Sequence, residues 1–223
     1  MVFETMSSVQ RSMMEKHLEL VIEANKNINI TRITDPQEAL VLHIEDSLSA
    51  LDELNAAPKG LFGDLGSGAG YPGIPLAIAS GRRTVLVESR RKKAEVLDSI
   101  IRVLGLSEQV STFSGRAELL ARSEPQMFSV LTARALAKLS VLMELASPLL
   151  KRGGHLICYK AKVDEHELGD ASRIEKKTGM KCKSIREICL DEDISRTLIV
   201  FEKVAKPTVA LPRREGEAQK NPL

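Results

Sequence analysis

Between Ser7 and Ala24 the apolar residues Val9, Met13, Met14, Leu18, Val21 and Ile22 recur at three- and four-residue intervals, which predicts an amphipathic helix. Asp35 followed by Pro36 marks a second helix start, and Val41, Ile44, Leu48 and Leu51 continue its apolar face. From Leu61 the pattern changes. Short apolar runs near 61–65, 84–88, 110–113, 127–132 and 154–160 predict strands, and the stretches near 73–80, 90–104, 116–122 and 138–151 carry helical spacing. This alternation predicts an α/β fold, a parallel sheet with helices on both faces. A more polar helix near 163–178 precedes strands near 182–189 and 197–203, which suit an antiparallel closing hairpin and bring the sheet to seven strands. Residues 1–55 then form a helical extension packed on the core and 56–204 the α/β core itself. Residues 205–223, rich in Pro, Arg, Lys and Glu, predict an extended basic tail, with one structural domain in all.

Composition narrows the partners. The 223 residues are 43% apolar, enough for a large core without disulfides or metals. With 32 Lys+Arg against 30 Asp+Glu, the net charge of +2 requires any nucleic-acid site to be a local patch. Aromatic residues are 3% of the chain and Trp is absent, which disfavours a base-stacking platform and favours a structured or protein-bound substrate. Cys158, Cys182 and Cys189 have no metal-site spacing and predict buried or half-buried free thiols. His17, His43, His155 and His166 are scattered, so no metal is expected. His43 reads as a capping or buried hydrogen-bonding residue. No leader pattern or membrane-length apolar run is present, so a cytoplasmic protein is expected, with monomer the default.

The chemistry centres on Asp64–Gly73, where a strand runs into Gly66-Ser67-Gly68-Ala69-Gly70 and then a helix. Glycines let a ligand lie against the main chain and the helix start offers free N–H groups. A dinucleotide loop would need its third glycine at position 71, which is tyrosine, and no GK[ST] follows for a phosphate loop. The GxGxG spacing, with the Asp64 carboxylate suited to a cationic sulfonium, favours S-adenosylmethionine as methyl donor. Tyr71 is placed to close that pocket. The next strand ends in Glu88, suited to ribose hydroxyls, and the third leads into Arg116-Ala117-Glu118, where a backbone N–H and a carboxylate can read adenine.

The fourth strand ends in Thr132-Ala133-Arg134-Ala135, without the [DN]PP[FYW] motif of amine methylation, and no cysteine follows proline as carbon-5 chemistry would favour. A ring nitrogen such as guanine N7 has an in-plane lone pair and needs alignment more than a base. Arg134 can hold a guanine edge or a phosphate, with pairing to a carboxylate as the alternative.

The chain resembles the bacterial ribosomal small-subunit methyltransferase G family, also called glucose-inhibited division protein B, from about Asn25 to Leu223. The markers are Asn29-Ile30-Thr31, His43–Leu48, Asp64–Pro75, Thr132–Ala135, Tyr159-Lys160 and Pro212-Arg213-Arg214. The resemblance implies a class I S-adenosylmethionine-dependent methyltransferase fold, Rossmann-like and preceded by helices. It also implies N7 methylation of one guanine in 16S ribosomal RNA, with S-adenosylhomocysteine as product. Carried over by position, cofactor contacts fall on Gly66, Tyr71, Ala117, Glu118 and Arg134, beside Asp64, Gly68, Gly70 and Glu88. Arg116 and Lys160 join Arg134 as cations at the site mouth, Arg134 and Lys160 being the catalytic candidates. Arg213, Arg214 and Lys220 of the tail are candidate RNA contacts, and Arg90–Lys93 a further basic patch. Two rivals remain: a methyltransferase of small molecules, and a protein that binds the methyl donor without transfer.

Overall fold

The computed structural model describes residues 2–33, 35–191 and 194–223. Five apolar runs form parallel strands: β1 (Phe62–Leu65), β2 (Thr84–Glu88), β3 (Val110–Ser114), β4 (Phe128–Arg134) and β5 (Leu150–Lys160). β6 (Met180–Asp191) and β7 (Ile194–Lys203) close the sheet as an antiparallel hairpin, with β7 against β5. The order β3-β2-β1-β4-β5-β7-β6 reverses direction between β1 and β4, the crevice where open α/β sheets bind their ligands.

Alternating side chains fill the two faces. Leu131, Ala133 and Leu156 meet α7 (Ala117–Ser123), α8 (Leu139–Ala146) and α9 (Glu165–Thr178). On the other face Leu86 and Val110 pack with α1 (Ser8–Asn25), α5 (Gly73–Ser80) and α6 (Arg91–Val103). α1 starts at a capping box, Ser7 Oγ accepting from Gln10 N (3.3 Å) while Gln10 Oε1 accepts from Ser7 N (3.1 Å). Lys203 is buried without a carboxylate partner among the described residues, yet it lies at the ends of α8 and α9 and donates to Ser147 Oγ and Thr178 O. Helix C-termini favour a cation there, although burial still lowers its pKa to about 8.

Four sequence expectations change. The helix expected to run to 151 ends at Ala146, because Pro148 lacks the N–H needed to continue it, and Leu150 already belongs to β5. The second helix is not one helix. It consists of α2 (Pro36–Ala39), a π-helical turn Leu40–Glu45, α3 (Asp46–Leu48) and, after a break, α4 (Leu51–Ala56). Its start is as read, with Asp35 Oδ1 accepting from Glu38 N (2.8 Å). Cys158 is buried and Cys182 half-buried, whereas Cys189 is exposed. The tail is folded back on the core: Ala218 of α10 (Glu217–Lys220) is buried with Val141 and Leu145 of α8.

Candidate active site

β1 delivers the chain into the glycine loop at the crevice. Gly66 N donates to Val87 O (2.8 Å) and Gly68 N to Glu88 Oε2 (3.0 Å), which ties the loop to β2. Gly68 has φ +57°, and a Cβ there would meet only Gly66 O at 3.8 Å, so its outer side is open. A Cβ on Gly66 would instead strike Leu136 Cδ1 at 2.7 Å. Asp64 stands behind the loop, fully buried, and does not face the cleft. Its Oδ1 accepts from Thr132 Oγ1 (2.7 Å) and its Oδ2 from Gly73 N (3.2 Å), bracing β1 against β4 and α5, and burial pushes its pKa up.

Beyond the loop lies a cleft lined by Gly66, Ser89, Gly115, Ala117, Glu118 and Leu136, with Arg116 at its rim. Glu88 is buried beside it and accepts from Gly68 N and from Arg90 N (2.7 Å). Each carboxylate oxygen keeps a lone pair for a further donor.

A second cavity, of about 330 Å³, opens on the other side of the end of β4. Arg134 Nη1 donates there to Asp46 Oδ2 (2.9 Å) and Leu42 O (3.0 Å). Arg196 of β7 pairs with the other Asp46 oxygen (3.2 Å), and Lys160, ending β5, pairs with Glu167 (2.7 Å). Beside Arg134, Tyr71 is clamped: His17 and His43 stack on it with ring centroids 4.4 Å away, and the Arg134 guanidinium lies 5.7 Å from its centroid. Burial lowers the His17 pKa to about 3; burial and then the Arg134 charge lower that of His43 to about 4. Both rings are therefore neutral near pH 7. His17 Nε2 is then the donor to Ala69 O (2.9 Å), and His43 Nε2 bonds Thr31 Oγ1 (2.9 Å).

A model of the rRNA small subunit methyltransferase G family, GidB, matches residues 10–199. The chain belongs to this family. The family protein of Lactobacillus johnsonii is 34% identical over 220 residues, 96% of this chain and 92% of that protein. That of Carboxydothermus hydrogenoformans is 35% identical over 218 residues, 94% of this chain and 90% of that one. Among solved structures, geranyl diphosphate methyltransferase in complex with GPP and sinefungin is similar at TM-score 0.57 and 14% identity, covering 72% of this chain and 78% of that one. TYW2 of M. jannaschii in complex with AdoMet is similar at TM-score 0.56 and 15% identity, covering 72% and 77%. The fold is that of the class I S-adenosylmethionine-dependent methyltransferases. No helix among the described residues is long and apolar enough to cross a membrane.

Within this family fold the structure gathers Gly66, Ala117 and Glu118 at the first cleft, with Gly68 bonded to Glu88, the chain neighbour of the lining residue Ser89, and Arg134 and Lys160 at the second. Tyr71 is buried as the centre of the three-ring stack and lines neither cavity, and Gly70 turns the chain into it at φ +92°. Arg214 and Lys220 are exposed. Arg213 is placed differently from Arg214 and Lys220: its guanidinium makes two 2.7 Å contacts with the buried Glu144 and so holds the tail. In the sequence Asp46 stood out only within the His43–Leu48 marker, and Arg196 not at all. Arg196 precedes the apolar run Leu198–Phe201, and an antiparallel last strand must begin beside the end of β5, at the functional edge; the pairing Lys160↔Thr197 shows this.

Proposed function

We propose that the protein transfers a methyl group from S-adenosylmethionine to N7 of a guanine in 16S ribosomal RNA. The observation that carries the reading is the shared wall of the two spaces: Leu136 lines the glycine-loop cleft, and Arg134 and Ala135, just before it at the end of β4, line the cationic cavity. Both spaces therefore adjoin at the end of β4, where a donor and an acceptor are held side by side, which suits direct transfer.

The residue types suit the methyl donor. On this reading the adenosine lies against the open side of Gly68, its ribose hydroxyls donate to the lone pairs left on Glu88, and its adenine faces the backbone at Ala117 and Glu118. When bound, S-adenosylmethionine supplies an electrophilic methyl on a sulfonium. On the acceptor side Arg134, held by Asp46 and Leu42, offers its remaining donors to the guanine O6 or a phosphate, and Lys160 and Arg196 add positive charge. The guanine N7 lone pair lies in the ring plane, so the chain aligns the base and abstracts no proton. Arg116, Arg214 and Lys220 extend the cationic surface toward RNA. The acceptor is presented in an assembled small subunit, and the enzyme acts as a cytoplasmic monomer of one structural domain.

Labelled S-adenosylmethionine offered with free ribosomal RNA, assembled small subunits or a metabolite pool tests this. Label recovered as 7-methylguanosine in 16S RNA supports the reading. Label in metabolites, or on another atom of the RNA, refutes it.

A further inference from the structure

The C-terminal segment forms part of the wall of the glycine-loop cleft. Arg213 binds Glu144 of α8 and donates to Asn221 O (2.7 Å), while its own carbonyl accepts from Arg122 Nη2 (2.8 Å). Gly216, at φ +73°, donates its N–H to Glu118 Oε1 (2.8 Å), and Ala218 is buried. These contacts fix α10 beside the start of α7. Gln219 of α10 thereby lines the cleft together with Gly66, Ala117 and Leu136. Its side chain is exposed, and among the described residues its carboxamide has no hydrogen-bond partner.

A carboxamide presents a donor and an acceptor side by side, the complement of the N6–N7 edge of adenine. The N–H and carboxylate at Ala117 and Glu118 suit the N1–N6 edge, which leaves the N6–N7 edge for another group. We propose that Gln219 is a cofactor-binding residue that reads the N6–N7 edge of the adenine, so that the C-terminal segment completes the cofactor site. The proposal rests on the S-adenosylmethionine reading above. It has a thermodynamic corollary: cofactor binding and tail docking strengthen each other by the same factor. The loaded enzyme then presents Arg214 and Lys220 in fixed positions.

Calorimetry with S-adenosylhomocysteine and S-inosylhomocysteine, whose N6–N7 edge has two acceptors and no donor, tests the assignment. Gln219→Ala should weaken S-adenosylhomocysteine about 5- to 10-fold and the inosine analogue by no more than about twofold. Ala218→Asp, which puts a charge into the buried contact and undocks α10, should weaken S-adenosylhomocysteine at least as much. Unchanged affinity in either variant, or equal losses for both ligands in Gln219→Ala, would overturn the proposal. An unaltered chain that binds neither ligand would overturn the cofactor reading itself, and this inference with it.

Discussion

Gly68 and Gly73 sit in one loop but answer to different constraints. At Gly68 a side chain finds open space on the ligand side, and the objection is conformational, at φ +57°. At Gly73 a Cβ would lie 2.4 Å from Leu86 Cδ2 and 2.8 Å from Asp64 Oδ2, inside the core. Gly68→Val should therefore lose about 1–2 kcal/mol of stability to backbone strain yet abolish S-adenosylhomocysteine binding, because its branch occupies the adenosine's place. Gly73→Val should lose about 3 kcal/mol or more through overpacking. Urea unfolding alongside calorimetry separates the two; a Gly68→Val protein that binds normally would remove the loop from the cofactor site. Asp46 poses a different residue-scale problem, since its side chain is 3% exposed and pairs with two arginines at once. Asp46→Asn should cost about 2–3 kcal/mol, less than a fully buried pair because both arginines are partly solvated. Arg134→Ala should cut methyl transfer more than cofactor affinity, and equal losses would assign it to cofactor binding alone.

At the scale of elements, the N-terminal helices hold the glycine loop from outside. His17 of α1 and His43 of the π-helical turn grip Tyr71, and Glu45 accepts from Val2 N and Phe3 N (both 3.0 Å), pinning the chain start to the same turn. This clamp is pH-sensitive in a defined direction. Both histidines have native pKa values below the unfolded 6.5, so the unfolded chain binds more protons as pH falls. Their contribution is complete above pH 6.5 and is lost as pH falls from there toward about 4 for His43 and about 3 for His17. Asp64, whose native pKa is raised, works in the opposite sense, so the comparison has to be between variant and parent. His17→Gln should flatten the dependence of unfolding free energy on pH between 6 and 4.5 by about one proton's worth, roughly 1.4 kcal/mol per pH unit. An unchanged slope would mean that His17 is protonated in the folded state.

The same elements show what the sequence could reveal. Apolar runs located the β1–β5 succession because the inner strands β1, β2 and β4 are covered on both faces and each intervening helix buries one stripe. The loop was legible because its chemistry is local: Gly66, Gly68 and Glu88 do their work within reach of their own strands. The π-helical turn was not. Val41, Ile44 and Leu48 fit an ordinary helix, but every residue from His43 to Ala50 is buried, polar ones included, because partners arrive from all sides. Those partners are Arg134, Arg196, the Tyr159 hydroxyl on Ser47 O (2.7 Å) and the N-terminal amides, none near in sequence. The tail was misread for the same reason. Its composition is that of a solvated segment, and its partners lie far off in sequence: Glu144 and Glu118, about 70 and 100 residues earlier, take Arg213 and the Gly216 amide, and Lys177 O takes the Thr208 amide.

For the whole molecule, a net charge of +2 leaves RNA affinity to the cations that remain free after internal pairing. Formal charge counts overstate that set. Arg213 is committed to Glu144, whose side chain is 3% exposed, and Arg91 pairs with Glu95 (2.9 Å). Arg214, Lys220 and Lys92 are exposed and make no ion pair among the described residues. Each free cation that meets a phosphate releases counterions, so the logarithm of RNA affinity should fall linearly with the logarithm of salt concentration. Arg214→Ala should reduce that slope by about 0.7–0.9 and leave the melting temperature unchanged. Arg213→Ala should behave in the reverse way: by leaving Glu144 buried without its partner it should cost about 2–3 kcal/mol and lower the melting temperature by several degrees. Filter binding to small-subunit particles across a potassium chloride series, with thermal unfolding of the same variants, distinguishes the two roles. If Arg213→Ala left the melting temperature intact and took the slope down by one full contact, the ion pair with Glu144 would have to open on RNA, and the tail would be a fastening that the substrate releases.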